Sequence, residues 1–213
     1  MRVRVDLNIS LDGYASTADQ TPDDPMGADW GRLVKAYVAT RTMQEKVLGK
    51  TSGAGTTGVD ERYAAAYFEG IGAEVMGAGM FGLHAHPDDP DWQGWWGDEP
   101  PFGVPVFVLT HRERPSLTMR GGTTFHFVAQ EPARVLARAV EEAAGRDVRI
   151  GGGVSVVRDF LAAGMVDQLH VAVVPILLGR GQRLWDGLRG LEQDYTVTSE
   201  VAESGVTHVT FRR

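Results

Sequence analysis

The chain has 213 residues, 27 glycines, no cysteine and a net charge of −7, which is long enough for one sizeable core. The excess of acid, with no Lys/Arg stripe to offset it, excludes a nucleic-acid backbone as partner, and the lack of cysteine excludes a thiol nucleophile. No apolar run reaches membrane-spanning length and Met1-Arg2-Val3 leads directly into a strand-like pattern, so the expectation is a cytoplasmic single domain that meets small molecules and no membrane.

Val3, Val5, Leu7 and Ile9 alternate with Arg4, Asp6 and Asn8, which predicts a first strand ending at Asp12-Gly13. A helical stripe from Trp30 to Leu48 predicts one helix, closed by Gly49 and a flexible Ser52-Gly53-Ala54-Gly55, and a second helix is expected from Asp60 to Glu69. Glu74-Val75-Met76 reads as a short buried strand and Val104 to Leu109 as a clearer one, with a long loop between them. Pro132, Val135, Leu136, Ala139, Val140 and Ala143 carry helical spacing, with proline at the start and Gly145 after the end. Val148 to Ile150 then leads through Gly151-Gly152-Gly153 into a helix over Val154 to Ala163 and a strand over Gln168 to Val174. Tyr195 to Ala202 and Val206 to Phe211 form a closing hairpin around Glu203-Ser204-Gly205. Helices interleaved with strands imply a three-layer α/β/α domain, its sheet mostly parallel with an antiparallel edge.

The glycine triplet between a strand and a helix is the strongest chemical signal, because bare amides at the positive end of a helix suit a phosphate; a tight turn without a ligand is the plain alternative. Gly77-Ala78-Gly79-Met80-Phe81-Gly82 has the spacing of a dinucleotide fingerprint. The sequence after it, His84-Ala85-His86-Pro87-Asp88-Asp89-Pro90, opposes the helix that fingerprint needs. His84, His86, Asp88, Asp89 and Asp91 read as a solvated loop, and no metal is expected. Trp92, Trp95 and Trp96 beside Pro100-Pro101-Phe102 fit a lid, a dimer contact or satellite core.

Several segments, in order, resemble the dihydrofolate-reductase-like family that includes the C-terminal reductase domain of riboflavin biosynthesis. They are Ile9-Ser10-Leu11-Asp12-Gly13-Tyr14, Val75 to Phe81, Val106 to His111, and the run from Ile150 through Phe160-Leu161-Ala162-Ala163-Gly164 and Val174-Pro175 to Leu184. The resemblance implies NADPH across the carboxyl edge of the sheet. Its diphosphate would lie on Gly151, Gly152, Gly153, Val154 and Ser155, and its adenosine half near Gly77, Ala78, Gly79, Met80, Thr110, His111 and Arg112. Leu11 and Asp12 would border the nicotinamide. Ala78 stands where the family usually carries an arginine, which leaves His111, Arg112 or Arg114 for a 2′-phosphate and keeps NADH and flavin as lesser alternatives.

The chemistry implied is hydride transfer to a small pterin-like or pyrimidine-like heterocycle, with Asp12 and Asp60 as catalytic candidates. Asp29 and Glu61 are further carboxylates in plausible regions, and the simpler reading of Asp60 is a helix cap. Arg180 or Arg183 would hold an anionic substrate. A flavin-linked reductase and a non-catalytic nucleotide-binding protein are the alternatives, and the resemblance implies a homodimer.

Overall fold

The computed structural model describes residues 1–18, 20–21, 23–50 and 53–213. Ser52, expected in a flexible linker, lies outside them. In chain order come β1 (Val3–Ser10), β2 (Tyr14–Ser16), α1 (Trp30–Leu33), α2 (Lys35–Val38), α3 (Arg41–Lys46), α4 (Val59–Phe68), β3 (Ile71–Gly77) and α5 (Ala78–Phe81). They are followed by β4 (Pro105–Leu109), β5 (Leu117–Thr118), β6 (Thr124–Val128), α6 (Pro132–Glu142), β7 (Asp147–Gly152), α7 (Val154–Ala162), β8 (Gln168–Val174), β9 (Gln182–Arg183), β10 (Thr196–Val201) and β11 (Thr207–Arg212).

Nine strands form one sheet in the order β10-β11-β8-β1-β7-β3-β4-β6-β5. The run from β8 to β6 is parallel throughout, while β11 lies antiparallel to β8, β10 to β11, and β5 to β6. This is a mixed, mostly parallel α/β sheet with a C-terminal antiparallel hairpin. Alternation puts Val5, Ile9, Val75, Ile150 and Val171 on one face, buried against Val135 and Ala139 of α6 and Val157, Phe160 and Leu161 of α7. A buried Leu or Phe of this kind contributes roughly 1.5–3 kcal/mol relative to an exposed one, so these two helices hold the central strands in place.

The opposite face of β1, β3 and β7 is polar and still buried. Glu74, Arg149 and Arg4 lie in register across β3, β7 and β1, and Arg149 is 2% and Glu74 0% exposed. Arg149 donates to Glu74 through Nε and Nη2, donates through Nη1 to the carbonyl of Tyr67, and stacks 3.7 Å from the Tyr67 ring. Burial pushes the Glu74 carboxyl up, whereas the guanidinium stays charged beside it. Helix α4 covers this layer, and Arg4 donates to its last carbonyls at Ala66 and Glu69.

The single helix expected over Trp30 to Leu48 is three short ones. Val34 leaves helical geometry at ψ 4°, and Thr40 is extended at ψ 152° and caps α3 by accepting from the Met43 amide. A straight helix shows its apolar stripe to one direction only. Broken at these two points, the segment curves so that Trp30, Val34, Tyr37, Met43 and Val47 all face one chamber. The sequence reading also passed over β6, whose Phe125 and Phe127 alternate with Thr124 and His126, and it shortened β3.

Candidate functional site

The carboxyl ends of β3, β4, β6 and β7 border a cleft of about 1050 Å³, the position where parallel α/β sheets take ligands. Gly77, Ala78, Gly79, Met80, Thr110, His111, Gly151, Gly152, Gly153, Val154 and Ser155 all line it. Gly153 caps α7 without a side-chain bond, and the first intrahelical donor is the Val157 amide. The amides of Val154, Ser155 and Val156 therefore find no acceptor within the helix, and the positive end of its dipole meets the cleft.

The three glycines differ in what they allow. A Cβ on Gly151 would collide with Glu74, and Gly152, at φ 139°, is in a backbone region that favours glycine. A Cβ on Gly153 would meet nothing within 4 Å, so the space beside it is a cradle open to a ligand. Amides with no acceptor among the described residues, set around such a cradle, fit a dinucleotide's diphosphate.

The glycines at 77, 79 and 82 have packing reasons. A Cβ at Gly77 would come within 2.9 Å of Val156 Cγ2, one at Gly79 within 2.9 Å of His84 Nδ1, and one at Gly82 within 2.7 Å of the Trp95 ring. Helix α5 is a single turn, so the fingerprint spacing here seats α7 and an aromatic loop against β3. That loop is satellite core. Trp92 donates to the Phe81 carbonyl and stacks on His86, while Trp96 packs on Phe81, Phe102 and Phe125. Its inner edge, Trp95 and Trp96, faces the cleft. Among the described residues no three potential ligands converge as a metal site.

Leu11, Asp12 and Arg112 lie outside the cleft. Leu11 is 64% exposed. Arg112 points outward, 3.9 Å from Asp88, and Arg114 donates to the carbonyls of Asp89 and Pro90. Asp12 accepts from Ser10 Oγ and from the amides of Leu178 and Gly179, so its carboxylate ties the loop after β1 to the segment after β8. Partial desolvation opposes ionisation there, but these bonds prevail and hold its pKa down to about 2. Asp12 is thus placed as a tie between two loops, outside the cleft. Asp29 pairs with Arg32 and Arg180, Glu61 holds the amide and hydroxyl of Thr42, and Arg183 covers the Tyr14 ring.

Asp60 is not the helix cap, a place held by Gly58; its carboxylate meets His208 Nε2 at 2.9 Å. It lines a second chamber of about 350 Å³ that shares Leu7, Met26, Trp30, Met80 and Trp96 with the cleft. Tyr37, Tyr63 and Tyr67 wall this chamber together with Asp6, His170 and His208, three residues the sequence reading did not single out. The one signal for them was the charged side of β1, which reads as a solvated face until α4 is seen to cover it.

A mixed, mostly parallel sheet of this order, with a cleft at its carboxyl edge, defines an α/β protein. Residues 2–207 match the model of the RibD C-terminal domain, and the chain belongs to that family. Membership supports a reductase-type role. No curated protein sequence matches the chain. Among solved structures, a protein described as a candidate riboflavin biosynthesis protein from Shewanella sp. PV-4 is 23% identical, with 100% of this chain and 99% of that one covered at a TM-score of 0.61, and it shares the fold. A dihydrofolate reductase from Enterococcus faecalis, complexed with NADP(H), matches at 12% identity and a TM-score of 0.49, covering 100% of this chain and 96% of that one. A pyrimidine reductase-like protein from Corynebacterium diphtheriae matches at 14% and 0.45, covering 99% and 91%. Within the described residues no helix is long and apolar enough to cross a membrane.

Proposed function

We propose that the protein is an NADPH-dependent reductase of a small heterocycle, pterin-like or pyrimidine-like, that sits in the second chamber. The observation that carries this reading is the unpaired first turn of α7 beside the open cradle at Gly153, next to a chamber just large enough for one or two rings. Gly152 to Ser155 would hold the diphosphate, Gly77 to Met80 with Thr110 and His111 the adenosine half, and the shared wall at Met80 and Trp96 would bring the nicotinamide to the chamber mouth. When bound, the dinucleotide supplies a hydride, its dihydronicotinamide losing two electrons to a carbon of a C=N or C=O group. The protein's own part is to orient that ring, exclude water with Trp30 and Trp96, and provide the proton. Of the two catalytic candidates Asp60 keeps a role, because it alone lines the chamber. A homodimer belongs to the same reading, supported by the exposed apolar side chains of Leu11, Leu177 and Trp185 on neighbouring turns, and sedimentation tests it.

Fluorescence titration with NADPH, NADH and FMN as separate arms tests the cofactor. Saturable NADPH binding is expected; binding of FMN alone, or of none, overturns the reading. Ser155→Asp sharpens it, since a carboxylate in the first turn suits the helix dipole but repels a phosphate. The variant is expected to keep its thermal midpoint and lose at least about tenfold in NADPH affinity, roughly the 1.4 kcal/mol of one misplaced charge. Unchanged affinity would put the diphosphate elsewhere.

A further inference from the structure

A hydride reduction also consumes a proton, and the second chamber is walled by four side chains joined end to end. Asp6 Oδ1 lies 3.2 Å from His170 Nδ1, His170 Nε2 lies 2.9 Å from His208 Nδ1, and His208 Nε2 lies 2.9 Å from Asp60 Oδ1. The register makes this line: His170 of β8 is opposite Asp6 of β1, and His208 of β11 is opposite Ala172, diagonal to His170. Both histidines are buried, their rings lie within 10° of one plane, and the Tyr63 ring covers them at 4.3 and 4.1 Å.

Counting protons decides what the line holds. A carboxylate only accepts, so three bonds need three N–H protons, and two neutral imidazoles supply two. With two, a pair of lone pairs would face each other in one of the gaps, and leaving buried polar atoms unpaired is unfavourable, more so beside a charge. A third proton satisfies every bond and leaves the four groups with a net charge of −1. The charges around the line pull both ways. Arg4 of β1 and Arg149 of β7 face Asp6; Glu200 of β10 faces His208; and Tyr63 lies over both rings with Arg62 on its own ring. Burial alone would raise the Asp6 carboxyl, but His170 and the two arginines outweigh it and keep Asp6 ionised. Burial and the neighbouring His170 hold the His208 ring below its ordinary value with Asp60 and Glu200 working against them, so it is the bond count of the line that calls for the third proton. An electron-rich ring stacked on an imidazolium adds a further attraction.

We propose that Asp6, His170, His208 and Asp60 form a proton wire, which stores one proton across the buried histidine pair and delivers it at Asp60 to the heteroatom of the reduced substrate. This rests on the reductase reading above. As the hydride reaches carbon, the C=N or C=O π bond breaks and its electron pair moves to the heteroatom, while Asp60 takes the proton of His208 Nε2 on its carboxylate and passes it to that heteroatom, ending ionised as it began. His208 Nδ1 keeps the proton it shared with His170. Both rings end neutral, and solvent recharges the wire through Asp60. Asp60 is then the catalytic residue, and Asp6 and the two histidines are positioning residues.

The full chain labelled with 15N-histidine, without ligand, tests the store by NMR, with His170→Asn and His208→Asn assigning the signals. Three protonated nitrogens among the four of the pair are expected at neutral pH. Two would overturn the proposal; if one variant fails to fold, the other still assigns one ring, and the 15N–15N coupling across the 2.9 Å contact assigns the second. Delivery is read from the exchange of these protons with water, expected to be at least tenfold slower in Asp60→Asn, whose amide keeps the shape but cannot carry the proton. Equal exchange in the two proteins would make the line a static bond network and overturn the wire. NADPH titration of the same samples keeps the two readings apart. An Asp60→Asn protein that binds NADPH like the wild type while exchanging slowly supports the wire; a wild-type protein that binds no nicotinamide dinucleotide overturns the reading it rests on, whatever the proton count.

Discussion

Asp12 illustrates how a residue's surroundings choose between chemistry and architecture. Its oxygens accept from Ser10, Leu178 and Gly179, which fastens the turn after β1 across to the loop after β8. Its pKa is held at about 2 against an ordinary 3.8, so the sign of the linkage is that of a depressed acid: the stability it gives is complete above the unfolded value and is lost as pH falls through the folded one. Asp12→Asn is therefore expected to destabilise by about 1 kcal/mol at neutral pH, a figure kept small because the site is open to solvent. The gap between variant and wild type should shrink between about pH 4 and pH 2 in thermal melts. A gap that does not change with pH would mean that the charge is not what fastens the loop. The same residue shows what a sequence withholds. Its place in a loop after a strand was legible, whereas the direction of its carboxylate depends on main-chain amides more than 160 residues away.

At the scale of elements, strong local patterns were readable and long-range ones were not. The alternation of β1, the proline-started α6 and the glycine-headed α7 are each written in neighbouring residues, and the structure has all three. The curved α1 to α3 segment was misread because its apolar spacing mimics one helix, and only the hydroxyl of Thr40 marks a break. The buried charge layer was invisible for a related reason: Glu74 stands in a segment that reads as a buried strand, but nothing beside it in the chain names Arg149, 75 residues on, as its partner under α4. That layer makes a sharp prediction. Arg149→Met keeps the stem volume but leaves Glu74 buried without its cation, and removing one member of a buried pair typically costs about 3–5 kcal/mol. Urea unfolding should show that loss with an unchanged slope, and Glu74→Met combined with Arg149→Met should recover most of it, since an apolar pair has no charge to strand. A single variant within about 1 kcal/mol of wild type would mean that water reaches Glu74 and that the layer is not sealed.

The whole molecule explains why a ligand in the cleft should be felt everywhere. β1, from the start of the chain, is clamped between β7 and β8 from its last third, and the cleft is built from the ends of β3, β4, β6 and β7, so no part of the site belongs to a segment that could unfold alone. Melting without ligand is accordingly expected to be one cooperative transition. A ligand that binds only the folded chain adds RT ln(1 + [L]/Kd), about 2.7 kcal/mol at a hundredfold excess over Kd. For a chain of this length each kcal/mol moves the midpoint by about 2–4 °C. NADPH at that excess should therefore raise the midpoint by roughly 5–10 °C, measured by calorimetry, with the transition still single. The acidic balance of the chain makes this a demanding test: a net charge of −7 repels a polyanion at long range, so any shift must come from local contacts of the kind the α7 amides offer. A split transition, with NADPH moving only one step, would show that the cleft belongs to a part of the sheet that melts separately and would undo the coupling inferred from the strand order.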